Sequence, residues 1–137
     1  MRILFAVGTI AMSAGLAGCV CMSHRKAIDA PACGATIAIE YASDGMPSAN
    51  PKACLVRSGA ELTWQTPVGD IRPFTLEFTN GSVSDRDDRS SLPSHSNNGR
   101  QSVTALIKSV AVETTVKYGI QANGKSIDPA IIIHPAD

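Results

Sequence analysis

The sequence predicts an all-β protein, and more closely an antiparallel β-sandwich with Greek-key connections. Apolar and polar residues alternate in several short segments, as expected for strands with one buried face. Turn-forming residues, above all Gly, Pro and Asn, separate these segments at short intervals. Only residues 102–114 could form a helix, and their Val and Thr content argues against one. About seven short strands with turns between them are typical of a sandwich.

The strands are predicted from period-two patterns. The clearest is Phe74, Leu76 and Phe78, which alternate with polar neighbours. Asn123-Gly124 predicts a two-residue hairpin, because both central positions of a type I′ turn need a positive φ. The other predicted strands cover residues 36–41, 53–56, 61–65, 103–107, 116–120, 126–127 and 130–133, the last of them apolar on both faces.

Residues 82–100 interrupt this pattern. They are rich in Ser, Asp, Asn and Arg and hold few apolar side chains that could anchor them. The sequence therefore predicts a long surface loop here, and loops of that length in a compact domain are functional or mobile.

The amino-terminal segment has the pattern of an export signal. Arg2 precedes the apolar run 3–16, which is too short to cross a bilayer as a stable helix. The run ends in Leu16-Ala17-Gly18-Cys19, which resembles a bacterial lipobox. That resemblance implies a signal peptide over residues 1–18 and a mature chain that begins at a lipidated Cys19. An ordinary signal peptide cut after Ala17 and an uncleaved anchor are the alternatives.

The lipobox resemblance also implies a location. The protein would be held in the cell envelope by its lipid, with the membrane as its first partner and residues 19–33 as a tether to a domain over 34–137. Val20 follows the lipidated cysteine where an Asp would favour the inner membrane, so similarity to enterobacterial sorting favours the outer membrane.

Charge composition limits the partners. Without residues 1–18 the chain has 11 basic and 12 acidic residues. This near balance gives no electrostatic reason to expect nucleic acid as a partner.

Three cysteines remain once Cys19 carries lipid. Export places them in an oxidising compartment, where pairing is the default. Cys33 and Cys54 each lie beside a predicted strand, which favours a Cys33–Cys54 disulfide and leaves Cys21 unpaired. Closing a loop of this length stabilises a domain by about 3 kcal/mol in the chain-entropy model.

The strand pattern carries a second resemblance. Ser58-Gly59-Ala60-Glu61-Leu62-Thr63-Trp64, the strand around Leu76 and the Asn123-Gly124…Asp128-Pro129 region together look like small bacterial proteins with a cupredoxin-like sandwich. The likeness covers residues 36–135. It implies the fold and no activity.

A blue-copper centre needs two histidines and a cysteine thiolate, usually with an axial methionine. No Cys follows Cys54, no Met follows Met46, and His24, His95 and His134 are scattered along the chain. We therefore expect no metal site. The alternative is a copper or zinc protein that uses His95, His134 or the Cys21/His24 pair.

Two further motifs resemble known binding loops but lack features that those loops need. Residues 119–126 match the phosphate-loop pattern G-x-x-x-x-G-K-[ST], but a β-rich run follows where that loop needs a helix, so no nucleotide is expected. Asp85, Asp87 and Asp88 resemble part of a calcium loop, but Arg86 and Arg89 would oppose the cation.

The sequence identifies no catalytic residue and no cofactor. It favours a lipid-anchored envelope protein that is not an enzyme and acts as a binding or structural module. An envelope protein or a small ligand is the expected partner.

Overall fold

The computed structural model describes residues 30–137, and all regular structure in this part of the chain is β-strand. The predicted signal peptide, Cys19, Cys21 and His24 lie outside the described residues. The strands are β1 Thr36–Tyr41, β2 Pro47–Asn50, β3 Ala53–Arg57, β4 Glu61–Gln65, β5 Thr75–Phe78, β6 Ser91–Pro93, β7 His95–Asn97, β8 Arg100–Leu106, β9 Thr114–Ala122, β10 Lys125–Ile127 and β11 Ala130–His134.

The strands form two sheets that pack into a sandwich, which confirms the predicted fold class. One sheet has the order β2-β1-β4-β8-β7, and the other has the order β3-β11-β9-β5-β6 with β10 paired to β9. The sheets are mixed rather than purely antiparallel, because β1 pairs with β4, and β11 with β3, in parallel. In both cases the two parallel strands are not consecutive in the chain, as expected because parallel neighbours need a connection longer than a hairpin.

Alternating apolar residues from the two sheets fill the space between them. Trp64 of β4 and Tyr118 of β9 meet there, with Phe78 beside both rings. The indole Nε1–H of Trp64 donates to the hydroxyl of Tyr118 at 3.0 Å, so one buried hydrogen bond links the two sheets. Burial raises the pKa of Tyr118 to about 12.

The β11 strand lies between β3 and β9. Ile131, Ile132 and Ile133 are all buried, as the run of apolar residues predicts. A strand paired on both edges and covered on both faces needs such a run, because any polar side chain there would lose its water.

The structure contains the predicted disulfide. Cys33 and Cys54 are buried and bonded, with a Cα–Cα distance of 4.8 Å. Just before it, residues 31–33 run parallel to β3: the amide of Leu55 donates to the Pro31 carbonyl at 2.8 Å, and the Cys33 amide donates to the Leu55 carbonyl at 2.7 Å. The last residues of the predicted tether thus add a short edge to the six-stranded sheet.

The prediction of one long loop over residues 82–100 is wrong. This segment holds β6 and β7, and Val83 and Leu92 are buried. Asn98 and Gly99 have φ values of 50° and 76°, so they form a tight hairpin between β7 and β8. Two buried apolar side chains and one turn are enough to anchor a segment that is otherwise polar.

The loops gather at two ends of the sandwich. The hairpin end, as we name it, consists of residues 42–46, 66–74, 97–100 and 122–126. The opposite end consists of residues 57–61, 79–90, 107–113 and 134–137. The paired strands β1, β4 and β8 run between these ends, which fixes where each loop lies.

A candidate functional site at the hairpin end

The 66–74 loop at the hairpin end is held by a buried polar network. Thr66 Oγ1 accepts a hydrogen bond from the Gln101 amide at 2.9 Å and donates to the Asp70 carbonyl at 2.6 Å. Gln101 Oε1 accepts from the Ser94 hydroxyl at 2.9 Å, and that hydroxyl accepts from the amide of Phe74. Because buried polar networks with every member satisfied are rigid, this loop has one defined shape.

A charged and aromatic cluster lies on the outer side of the same loop. The guanidinium of Arg72 stacks 4.2 Å from the centre of the Tyr41 ring and forks onto the carboxylate of Asp70. The hydrogen bonds from Arg72 hold the pKa of Asp70 below its usual value. Partial burial and, next, the nearby Asp70 raise the pKa of Tyr41. Asp70 and Arg72 therefore both stay charged at neutral pH, while Tyr41 stays neutral.

The β9–β10 hairpin is tied to the turn between β1 and β2. The Lys125 ammonium donates to the Asp44 carbonyl oxygen at 2.7 Å and lies 3.5 Å from its carboxylate. The Asn123 side-chain amide donates to the Gly45 carbonyl at 3.2 Å. A hydrogen bond from the Met46 amide is the main reason that the pKa of Asp44 is lowered. These contacts join loops from both sheets into one surface.

A shallow cleft of about 550 Å³ lies between the end of the 66–74 loop and this hairpin. Phe74 and Ala122, both buried, form its floor. The lining adds hydroxyl, amide and ammonium groups from Thr75, Gln121 and Lys125. Its lining contains no histidine and no carboxylate among the described residues, and its hydroxyl, amide and ammonium groups offer hydrogen bonds to a polar ligand.

Large apolar side chains are also exposed at the hairpin end. Val68 is 69% exposed and Ile71 is 64% exposed, both on the 66–74 loop, and Met46 on the β1–β2 turn is 38% exposed. Single exposed apolar residues are ordinary on protein surfaces, but three of the four large ones among residues 30–137 lie at this end.

The structure does not bring the two described histidines together. His95 pairs across the sheet with Ser102, which itself pairs with Gln65 at the end of β4. His134 lies beyond the start of β4, where its carbonyl accepts hydrogen bonds from Ser58 and its Nδ1 lies 3.3 Å from Glu113. The five residues of β4 alone span about 13 Å, so these histidines cannot share one ion.

The described residues do not fit a blue-copper centre. Both Cys33 and Cys54 are closed in the disulfide and supply no thiolate. Within residues 30–137, nowhere do three or more His, Cys, Asp or Glu side chains come close enough to hold a metal ion. The Cys21/His24 pair lies outside the described residues and stays a sequence-based alternative.

The two other motifs have structural explanations. Residues 119–126 form the end of β9, the Asn123-Gly124 turn and the start of β10, with φ values of 52° and 71° at the turn. No helix follows to bind phosphate in this described region. In the calcium-like segment, Arg89 forks onto Asp87, and this hydrogen bonding lowers the pKa of that carboxyl to about 2.

Sequence reasoning missed most of the hairpin end. Thr66 and Gln101 are separated by 35 residues, and no local pattern links them. One signal was available: Asn98-Gly99 is the same dipeptide as Asn123-Gly124 and predicts the hairpin that carries Gln101.

None of the described residues forms a helix with the length and apolar character needed to cross a bilayer.

Comparison with known proteins assigns no family to this chain. No family model matches the chain, and no curated protein matches it. Among solved structures, the chain is similar to a purple cupredoxin from Nitrosopumilus maritimus. The two share 17% sequence identity over 72% of this chain and 98% of that protein, with a TM-score of 0.41. The two-sheet sandwich itself is established by the strand pairing described above.

Proposed function

We propose that this chain is a lipid-anchored protein of the bacterial cell envelope whose β-sandwich is a non-catalytic binding module. The lipobox-like Leu16-Ala17-Gly18-Cys19 carries the proposal. The buried Cys33–Cys54 disulfide supports it, because such bonds persist in compartments outside the reducing cytoplasm. Several acyl chains at Cys19 give durable attachment, since each buried CH₂ adds about 0.8 kcal/mol.

Metabolic labelling tests the anchor. Cells that express the wild type, Cys19→Ser or Cys21→Ser are grown with an alkyne analogue of palmitate, and each protein is then isolated. Wild type and Cys21→Ser should carry label and sediment with membranes, while Cys19→Ser should carry none. Equal labelling of Cys19→Ser, or an unlabelled wild type, would contradict the proposal. The Cys21→Ser variant controls for loss of any nearby thiol.

The proposed membrane is the outer one, because Val20 rather than Asp follows the lipidated cysteine. Density-gradient separation of the two membranes, in a host with enterobacterial sorting, should place the wild type in the outer-membrane fraction. Val20→Asp should shift it to the inner-membrane fraction. An unchanged distribution would refute this part of the proposal.

The hairpin end supports the binding role. Its cleft joins a buried aromatic floor to several hydrogen-bonding groups, and a rigid network fixes its shape. A ligand that binds there loses less entropy than one that must order its site.

The binding role can be tested by blocking the cleft. Thr75→Lys and Gln121→Lys place long charged side chains over its mouth, and Glu113→Lys makes a comparable change at the opposite end. Envelope extracts are passed over each immobilised protein. Wild type and Glu113→Lys should retain a molecule that the two cleft variants do not retain. Retention by all four proteins would place binding elsewhere and contradict the role of the cleft.

Metal analysis separates this function from the metal-binding alternative. Purified protein dialysed against copper or zinc should retain well under one ion per chain. A full equivalent of either metal would overturn the non-metal function, and its loss in Cys21→Ser, His24→Ala, His95→Ala or His134→Ala would show which residues hold the ion.

A further inference from the structure

The direction of the chain before β1 bears on how the domain sits on its membrane. Residues 31–33 run parallel to β3, and β3 runs toward the opposite end, where Arg57 and His134 pair. Followed backward from Cys33 to Ala30, the chain therefore heads toward the hairpin end. Eleven peptide steps separate Ala30 from Cys19, so the lipid lies at most about 40 Å from Ala30 along the chain.

Exposed apolar side chains are concentrated at the end toward which the tether leads. Among residues 30–137, four large hydrophobic side chains are exposed. Val68, Ile71 and Met46 lie at the hairpin end, and Val112 alone lies at the opposite end. An apolar group of this kind gains free energy by entering the boundary between headgroups and acyl chains.

The loop that carries Val68 and Ile71 is held in place. The Thr66 hydroxyl donates to the Asp70 carbonyl, and the Gly69 amide donates to the carbonyl of Gly99 in the neighbouring hairpin at 2.8 Å. Because the loop is already ordered, insertion of its two apolar side chains costs little further conformational entropy.

The net charge of the two ends also favours the hairpin end as the one that meets the membrane. The hairpin end carries three basic and two acidic residues, whereas the opposite end carries four basic and six acidic residues. Membrane surfaces that contain anionic phospholipid attract the first and repel the second. The charged residues at the hairpin end are Asp44, Asp70, Arg72, Arg100 and Lys125.

We propose that the hairpin end faces the bilayer and that Val68 and Ile71 insert among the headgroups of an anionic phospholipid surface. The inference rests on the lipid anchor of the proposed function and adds the orientation of the domain to it. In this orientation the cleft at the hairpin end opens at the membrane surface, so the ligand of the proposed function is a molecule that the domain meets there. The lipid restricts the domain to the surface, and the apolar loop then fixes which end meets that surface. The opposite end, with Glu113 and His134, is left facing away from the membrane.

Tryptophan fluorescence can read this orientation on the full-length lipidated protein. Val68→Trp and Val112→Trp form a matched pair, because the two valines are 69% and 70% exposed and lie at different ends. Trp64 is fully buried in the core and supplies the same background signal to both. Each protein is reconstituted in vesicles of phosphatidylethanolamine and phosphatidylglycerol, with or without bromine on the acyl chains, and recovered by flotation.

Val68→Trp should emit further to the blue than Val112→Trp and should be quenched by brominated lipid. Val112→Trp should add the emission of a water-exposed indole and should be quenched no more than wild type. Ile71→Trp repeats the first result at a second exposed position. Quenching of Val112→Trp alone, equal quenching of both, or quenching of neither in floated protein would each overturn the orientation. Flotation itself reports the anchor: wild-type protein that carries no lipid and stays in the aqueous fraction would refute the proposed function, and the orientation with it.

Discussion

Reduction of the Cys33–Cys54 disulfide should lower the stability of the domain by a predictable amount. The two cysteines are 21 residues apart, and in the chain-entropy model a loop of this length corresponds to about 3 kcal/mol at 25 °C. The bond joins the segment before β1 to β3, so its loss frees the unfolded chain without removing a strand. For a domain of this size, about 3 kcal/mol corresponds to a fall in Tm of roughly 10–15 °C.

Urea unfolding measures this effect on the mature chain with Cys19→Ser and Cys21→Ser, which prevent exchange of thiols. The oxidised and reduced forms are compared at equilibrium, and the C33A/C54A variant controls for direct effects of the reductant. The oxidised form should unfold at clearly higher urea, and the reductant should not change C33A/C54A. Equal midpoints for oxidised and reduced protein would refute the argument that this cross-link stabilises the fold.

Three further predictions concern the core and the hairpin end. Tyr118→Phe should lower the free energy of unfolding, measured in urea, by about 1–3 kcal/mol, because it leaves the buried Trp64 indole N–H without an acceptor. An unchanged unfolding midpoint would contradict a stabilising hydrogen bond between these side chains. The pKa of Tyr118 is raised from 10 to about 12, so its contribution to stability is complete below pH 10 and is lost as the pH rises toward 12. The free energy of unfolding of wild type should therefore fall across this pH range. A fall of the same size in Tyr118→Phe would count against the assignment to Tyr118. Thr66→Val should lower the free energy of unfolding by about 1–3 kcal/mol and speed hydrogen exchange of the Gln101 amide. Thr104→Val, on an exposed face, should have little effect. Equal losses of stability in both variants would argue against the buried network.

The sequence predicts the parts of the fold that depend on neighbouring residues. The alternation of Phe74, Leu76 and Phe78 follows directly from the two faces of a strand, and all three are buried. The Asn123-Gly124 hairpin is confirmed for the same reason, since the turn needs only two residues with positive φ. The disulfide was predictable because Cys33 and Cys54 each lie beside a predicted strand, whereas Cys21 does not.

Features that depend on distant residues were not predictable. Parallel pairing of β1 with β4 leaves no mark on the alternation of either strand, because both faces look the same in either direction. The loop prediction for the polar segment 82–100 is wrong because its buried side chains, Val83 and Leu92, are isolated in the sequence. Their burial is decided by strands contributed from elsewhere in the chain.

The candidate site was beyond sequence reasoning for the same physical reason. Thr66, Ser94 and Gln101 are unremarkable polar residues until the two sheets place them together. His95 and His134, by contrast, lie apart in the fold, and Cys33 and Cys54 are bonded to each other.

Intact-mass and peptide spectrometry of the protein purified from its native membranes tests the central claim most directly. The account predicts a mature chain whose first residue is Cys19, bearing a diacylglyceryl group on its sulfur and the remaining 118 residues unchanged. A chain that begins at Gly18 or at Met1 without any lipid would contradict it.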